Sequence, residues 1–133
     1  MVTDVQLAVV GLGYLGPNLV RCAVEIESVH VKAICDADAT ALAKRYPGIG
    51  GTQDLDRLLE DSEIEGVVLA TPVSTHYELG KRCLEAGKHV LIEKPFASTL
   101  EECKALIELA DNRDLILTPG THSSIRFECR PRA

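Results

Sequence analysis

The stretch "AVVGLGYLGPNLV", residues 8–20, decides the fold because three glycines follow directly on an apolar run. The β-branched residues of "VQLAVV" (5–10) predict a buried strand, and the apolar spacing after the glycines predicts a helix. Between the two elements, Gly11, Gly13 and Gly16 have the spacing of a turn that brings backbone amides close to a pyrophosphate. Glycines at this spacing also occur in flexible turns, so the surrounding sequence has to decide between the two interpretations.

The rest of the chain alternates short apolar runs with helical patterns. Strands are predicted at 5–10, 29–34, within 47–52, and at 66–71, 89–93 and 115–118. Helices are predicted at 15–27, 39–46, 54–61, 75–87 and 99–113. Strands joined by such helices form right-handed crossovers and a parallel sheet. We therefore predict an α/β domain: a doubly wound parallel (Rossmann) sheet of about six strands with helices on both faces.

Three helix ends carry recognisable capping residues. Thr75 with Glu78 and Thr99 with Glu102 have capping-box spacing, which predicts that each threonine caps a helix start. Gly87 is placed to end the helix that begins near Thr75.

Composition excludes several classes of protein. The chain has 133 residues, which is about one domain, and its net charge of −6 argues against a nucleic-acid surface. No apolar run approaches the roughly 20 residues that span a bilayer, and the first residues lack the pattern of a signal peptide. The five cysteines include no C-x-x-C pair, so we expect reduced thiols, no metal site and a cytoplasmic protein.

An acidic residue after the second strand supports a nucleotide site. "AICDAD" places Asp36 twenty residues after Gly16, the spacing expected for a carboxylate that binds the adenosine ribose. Asp36 and Asp38 would repel a 2′-phosphate, and the nearest cations, Lys44 and Arg45, lie on the following helix. We therefore predict NAD, with NADP less favoured. An S-adenosylmethionine methyltransferase remains an alternative here, because that fold also combines a glycine turn with an acid after its second strand.

A second motif lies at the end of the strand predicted at 89–93. "HVLIEKPFA" places Glu93, Lys94 and Pro95 at the carboxyl edge of the sheet, where open α/β folds bind ligands. A solvated surface lysine is the commoner situation for such a residue. A methyltransferase does not account for this motif.

Taken in order, "GLGYLGPN", "ICDAD", "ATPVSTH" and "AGKHVLIEKP" resemble the nucleotide-binding half of the Gfo/Idh/MocA oxidoreductases. The resemblance covers residues 5 to about 118. Enzymes of that family oxidise or reduce carbinol carbons of sugars, inositols and related polyols by hydride transfer to a nicotinamide. The opening "GYLGPN" is also similar to "GYWGPN" members that act on nucleotide-linked amino sugars.

The resemblance implies roles for individual positions. The pyrophosphate turn would comprise Gly11, Gly13, Tyr14, Leu15 and Gly16, and Asp36 would bind the adenosine ribose. The residues beside the nicotinamide half would be Thr71, Pro72 and His76, and those at its ribose would be Glu93, Lys94 and Pro95. Lys94 would also donate to the substrate oxygen and stabilise a developing alkoxide. The alternative interpretation of His76 is a capping or packing residue with no contact to the cofactor. The resemblance also favours a cis Lys94–Pro95 peptide.

The resemblance sets a domain boundary and two functional hypotheses. Residues 1–118 are predicted to form the dinucleotide-binding domain, and residues 119–133 an irregular tail. A shifted reading frame of the tail's codons could encode Gly-His-Thr-Phe-Leu-Tyr-Ser, a stretch typical of the family, so we hypothesise a frameshift. Family members are more than twice as long, and their second domain supplies the substrate pocket, the proton acceptor and the surface through which subunits pair.

The first hypothesis is that this chain is the cofactor domain of an oxidoreductase acting on a sugar, sugar nucleotide or polyol hydroxyl. It would bind a dinucleotide, would take a sugar-type substrate only with a second domain, and could form a homo-oligomer. By itself it is expected to lack turnover. The second hypothesis is a stand-alone dinucleotide-binding or interaction module without catalysis. Neither hypothesis includes a nucleic-acid or membrane partner.

Overall fold

A computed structural model describes residues 5–11, 20–21, 25–36, 44, 48–93 and 96–120. In this part of the chain, six strands form one parallel sheet in the order β3-β2-β1-β4-β5-β6. The strands are β1 (Val5–Val10), β2 (Val29–Cys35), β3 (Gly50–Thr52), β4 (Gly66–Leu69), β5 (His89–Glu93) and β6 (Leu117–Gly120). The strand order reverses beside β1, which creates the crevice where doubly wound sheets bind ligands.

Three helices and one 3-10 turn are described between the strands. They are α1 (Leu55–Glu60), the 3-10 turn Val73–Thr75, α2 (His76–Glu85) and α3 (Leu100–Asn112). The predicted α/β class and the parallel sheet are confirmed. Most of the helix predicted at 15–27 and nearly all of the one predicted at 39–46 lie outside the described residues.

Both faces of the sheet are buried. In β1, Ala8 and Val10 contribute to a large cluster that also includes residues of all three helices, whereas Val9 contributes to a second cluster on the opposite face. Val20, from the segment between β1 and β2, belongs to that second cluster and is fully buried. Alternate side chains of a strand point to opposite faces, so an apolar run such as "LAVV" is stable only when both faces are covered.

The last strand begins and ends two residues later than predicted. Leu115 is not in the strand, because its N–H completes the end of α3 by donating to the Ala110 carbonyl at 2.9 Å. Pairing with β5 begins where the Val90 N–H donates to the Ile116 carbonyl at 2.9 Å, and it continues through Gly120. Residues 119 and 120, predicted to be irregular, therefore belong to β6, and the rest of the predicted tail, 121–133, lies outside the described residues. A proline is tolerated at residue 119 because β6 is an edge strand.

The predicted cap at Thr75 is wrong. The side chain of Thr75 makes no capping hydrogen bond to α2, and its φ of −101° and ψ of −10° are helical. The 3-10 turn runs directly into α2, so the chain has no extended residue at which a threonine could cap. The Thr75 hydroxyl instead contacts the turn that precedes it.

The other two predicted caps are confirmed. The Thr99 side chain accepts from the Glu102 N–H at 3.1 Å, and the Glu102 carboxylate accepts from the Ser98 N–H at 3.2 Å. Gly87 follows α2 with a φ of +82°, and the next amide, of Lys88, donates back to the Cys83 carbonyl. This arrangement is the Schellman motif that glycine allows at a helix end. None of the described helices has the length and apolar character needed to cross a membrane.

Candidate functional site

The turn after β1 is packed so tightly that it requires glycine. Gly11 has a φ of +90°, and its N–H donates to the Cys35 carbonyl at 2.9 Å. A Cβ atom at this position would lie 2.6 Å from Thr71 Cγ2 and 2.8 Å from the carbonyl carbon and oxygen of Ala70. The first glycine of the predicted pyrophosphate turn is therefore held between the end of β2 and the residues after β4, with no room for a side chain.

Asp36 lies one strand away, directly after β2. Its backbone N–H donates to the Thr52 carbonyl at the end of β3, at 3.0 Å, and the residue is half-buried. The Gly11 N–H bond to Cys35 and the Asp36 bond to Thr52 continue the hydrogen bonding of the sheet past the strand ends. The backbone of Asp36 is thereby fixed at the same edge of the sheet as Gly11, one strand away.

The neighbouring thiol is not prepared for nucleophilic chemistry. Burial raises the pKa of the Cys35 thiol, and the negative charges of Asp36 and Asp54 raise it further. A reactive cysteine needs a lowered pKa. Cys35 therefore acts here through its carbonyl, which holds Gly11.

The segment after β4 forms a second wall of the crevice. The Ala70 N–H donates to the Val10 carbonyl at 2.8 Å, which ties this segment to the end of β1. Two polar side chains then fold back on the turn. The Thr75 hydroxyl lies 2.7 Å from the Thr71 hydroxyl and donates to the Pro72 carbonyl at 2.6 Å. The ring of His76 is 1% exposed, and its Nε2 lies 2.8 Å from the Thr71 carbonyl oxygen.

The carboxyl end of β5 contributes a buried acid. Glu93 is the last residue of the strand and is 6% exposed. Since β5 pairs with β4, Glu93 belongs to the same edge of the sheet as Thr71. Among the described residues, no group of three His, Cys, Asp or Glu side chains could hold a metal ion.

Six of the residues singled out from the sequence thus lie at one edge of four adjacent strands: Gly11, Asp36, Thr71, Pro72, His76 and Glu93. The other six lie outside the described residues: Gly13, Tyr14, Leu15, Gly16, Lys94 and Pro95. The predicted cis peptide after Lys94 is also outside them.

Sequence reasoning missed two contributors to this edge. The Cys35 carbonyl anchors the glycine turn, and the Thr75 hydroxyl braces the turn after β4. A backbone acceptor leaves no signal in the sequence. The threonine did leave one, because Thr71 and Thr75 are four residues apart around a proline, where a hydroxyl can bond back to the backbone of a turn.

The comparison with known families gives a match over most of the chain. Residues 5–121 match the family described as "Oxidoreductase family, NAD-binding Rossmann fold" (GFO_IDH_MocA). The chain belongs to this family, which confirms the resemblance seen in its motifs.

Individual relatives differ in what they are described as doing. Inositol 2-dehydrogenase 2 of Saccharopolyspora erythraea is 35% identical over 107 residues, which are 77% of this chain and 32% of that protein. An alpha-N-acetylgalactosaminidase of Bacteroides fragilis is 35% identical over 118 residues, 80% of this chain and 28% of that protein.

A solved structure shows the same fold with a cofactor. The crystal structure of GenD2 from gentamicin A biosynthesis, in complex with NAD, superposes with a TM-score of 0.86 at 32% identity. The match covers 90% of this chain and 35% of that one. This chain thus spans about a third of the length of these relatives, and it corresponds to their nucleotide-binding part.

Proposed function

We propose that this chain forms the dinucleotide-binding part of an oxidoreductase that acts on a hydroxyl of a sugar, sugar nucleotide or polyol. The observation that carries the proposal is the turn at Gly11. Its φ of +90° and the missing space for a Cβ leave its backbone close against the end of β4, at the point where the strand order reverses. This is the tight turn that the first glycine of a dinucleotide-binding fingerprint makes as the chain leaves the strand, and the pyrophosphate of a dinucleotide binds at the helix start that follows such a turn.

The described residues fit the two ends of such a ligand. On the β2 side, Asp36 offers carboxylate oxygens that accept hydrogen bonds from ribose hydroxyls. On the β4 side, the segment from Thr71 to His76 is braced by its own side chains and follows the strand next to β1 at the same edge of the sheet. The two sides lie on either side of β1, as an extended ligand crossing the switch point requires.

The cofactor and the protein contribute different parts of the proposed reaction. A nicotinamide cofactor supplies the hydride acceptor or donor when it is bound. Lys94, which follows β5 in the chain, is proposed to donate a hydrogen bond to the substrate oxygen. A cation at that oxygen stabilises the negative charge that develops as the hydroxyl loses its proton.

We propose NAD rather than NADP as the cofactor. A carboxylate at Asp36 accepts from a free 2′-hydroxyl but repels a 2′-phosphate, and Asp38 adds a second negative charge nearby in the sequence. The NAD complex of the GenD2 relative supports this choice.

Calorimetric titration of the chain with NADH and NADPH tests the proposal. We expect NADH to bind at least about tenfold more tightly, and Asp36→Ala to narrow that difference. Asp111→Ala, which removes an exposed acid on α3, is the matched control and should leave the ratio unchanged. Absence of binding of either dinucleotide would refute the function, and equal or tighter binding of NADPH would refute the cofactor choice.

A second candidate reaction is glycoside cleavage. It is favoured by the 35% identity to the alpha-N-acetylgalactosaminidase. Activity assays on the protein purified from its source organism distinguish the two reactions. Formation of NADH from NAD with inositols or sugars supports the dehydrogenase, whereas release of nitrophenol from a nitrophenyl glycoside without net NADH formation supports the hydrolase.

A further inference from the structure

His76 is the most deeply buried polar side chain at the described part of the carboxyl edge. It is 1% exposed, and its Nε2 atom lies 2.8 Å from the Thr71 carbonyl oxygen. A carbonyl oxygen can only accept, so Nε2 must carry a proton and donate it. A ring N–H as deeply buried as that of His76 is costly to leave without a partner, so this bond ties the ring to the backbone of Thr71.

The backbone of Thr71 matters because it forms the wall behind the glycine turn. The Thr71 methyl carbon lies 2.6 Å from where a Cβ of Gly11 would be, and the preceding carbonyl group of Ala70 lies at 2.8 Å. Rotation of the peptide between Thr71 and Pro72 would therefore shift the surface against which the turn is packed. The hydroxyl pair of Thr71 and Thr75, at 2.7 Å, braces the side chain but not this carbonyl.

We infer that His76 is a positioning residue for the dinucleotide site, acting through the Thr71 carbonyl rather than by touching a ligand. A ring that is 1% exposed has almost no surface for a ligand to contact. Its bond to Thr71 fixes the turn after β4, and that turn fixes one side of the crevice opposite Asp36. The inference rests on the proposed function, since it concerns the same dinucleotide.

Two substitutions separate this role from simple packing. The amide nitrogen of glutamine reaches about as far as Nε2 of histidine, whereas the asparagine amide reaches only as far as Nδ1. His76→Gln therefore keeps a donor for the Thr71 carbonyl, and His76→Asn loses it. Both variants remove the ring, so both lose its packing.

The experiment measures the affinity of the chain for NADH by fluorescence titration, with AMP as a probe of the Asp36 side. We expect His76→Gln to bind NADH within about threefold of the unmodified chain. We expect His76→Asn to bind it about tenfold more weakly, the loss of one hydrogen bond of about 1.4 kcal/mol, with AMP affinity changed by less than about twofold. Urea unfolding of each variant shows whether it is folded under the binding conditions.

Two binding results would overturn the inference. Equal losses in His76→Gln and His76→Asn would show that only the ring matters, and parallel losses of NADH and AMP would show a general loosening of the domain. In both cases the unmodified chain still binds NADH, so the proposed function survives. If the unmodified chain binds no dinucleotide, both the inference and the proposed function fail.

A measurement on the unmodified chain covers the case in which His76→Asn does not fold. The ¹⁵N spectrum of the imidazole should show a protonated Nε2 at His76. A deprotonated Nε2 would exclude donation to Thr71 and would overturn the inference without any variant.

Discussion

Replacing Gly11 with alanine should be among the most damaging single-methyl changes in this domain. Two independent costs add at this position. A non-glycine residue in a left-handed backbone conformation costs about 1–2 kcal/mol, and the φ at Gly11 is +90°. Inserting a methyl group into a filled space costs about 1–3 kcal/mol more. The free energy of unfolding should therefore fall by about 2–5 kcal/mol, a large part of the roughly 5–15 kcal/mol typical of a domain.

The steric part of this cost cannot be relieved by a neighbouring side chain. Thr71 Cγ2 is one of the atoms that the new methyl group would meet, and Thr71→Ser removes it. The carbonyl carbon and oxygen of Ala70 remain at 2.8 Å, and they belong to a backbone held by the hydrogen bond from the Ala70 N–H to Val10. We therefore expect Thr71→Ser to recover little of the stability lost in Gly11→Ala.

Gly87→Ala is the matched control for Gly11→Ala. Gly87 has a φ of +82°, close to that of Gly11, but within the described part of the chain nothing lies within 4 Å of where its Cβ would be. Alanine at position 87 should thus cost only the backbone part, about 1–2 kcal/mol. Urea unfolding followed by circular dichroism measures both variants. The reasoning is refuted if Gly11→Ala is no more destabilising than Gly87→Ala.

Three further predictions concern positions away from the crevice. Asp114 lies two residues after the end of α3 and has a φ of +57°, so Asp114→Gly should raise the free energy of unfolding by about 0.5–1 kcal/mol. A lower free energy of unfolding in urea would contradict this. The hydrogen bond from Lys32 lowers the pKa of Asp61, so this pair should stabilise the fold above about pH 4 and lose its effect as the pH falls through the lowered pKa. Lys32→Met should therefore be less stable than the unmodified chain at neutral pH and equally stable in acid. Urea unfolding of the unmodified chain and of Lys32→Met between roughly pH 2 and pH 7 measures the difference in their free energies of unfolding. A difference that becomes larger as the pH falls would contradict the prediction. Burial raises the pKa of Cys83 to about 12, so brief alkylation should leave this thiol unmodified until urea is added. The half-buried Cys103 should react under the same conditions, and mass spectrometry measures both. Equal rates of alkylation at the two cysteines would contradict the prediction.

The positions of most strands along the chain could be predicted from the sequence because those strands are marked locally. β1 and β5 have the predicted bounds, 5–10 and 89–93, because β-branched runs end there at glycine or at charged residues. β6 was displaced by two residues because the end of α3 uses Leu115 for a hydrogen bond inside the helix cap. A helix end and a strand start compete for the same backbone groups, and residue types alone do not show which of them wins.

The candidate site could be predicted as a set of residues but not as an arrangement. Glycine spacing and an acid at a fixed distance follow from the chemistry of the ligand, so they are visible in the sequence. The close approach of Gly11 to Thr71 is different, because it joins positions sixty residues apart through the pairing of β1 with β4. The failed cap at Thr75 has a local cause instead, since the hydroxyl of Thr75 is used by the 3-10 turn, where it donates to the Pro72 carbonyl and lies 2.7 Å from the Thr71 hydroxyl.

The two sides of the crevice are held by different kinds of contact, and this difference has a consequence for substitution. On the β2 side, the bonds that fix Gly11 and Asp36 are backbone amides donating to backbone carbonyls, of Cys35 and Thr52. Such bonds persist when side chains change. On the β4 side, the backbone bond from Ala70 to Val10 is joined by bonds from the side chains of Thr75 and His76, and these side-chain bonds are lost when those residues change. Conservative substitutions at Cys35 or Thr52 should therefore leave the geometry of the turn at Gly11 intact, whereas the shape of the turn after β4 depends on residue identity.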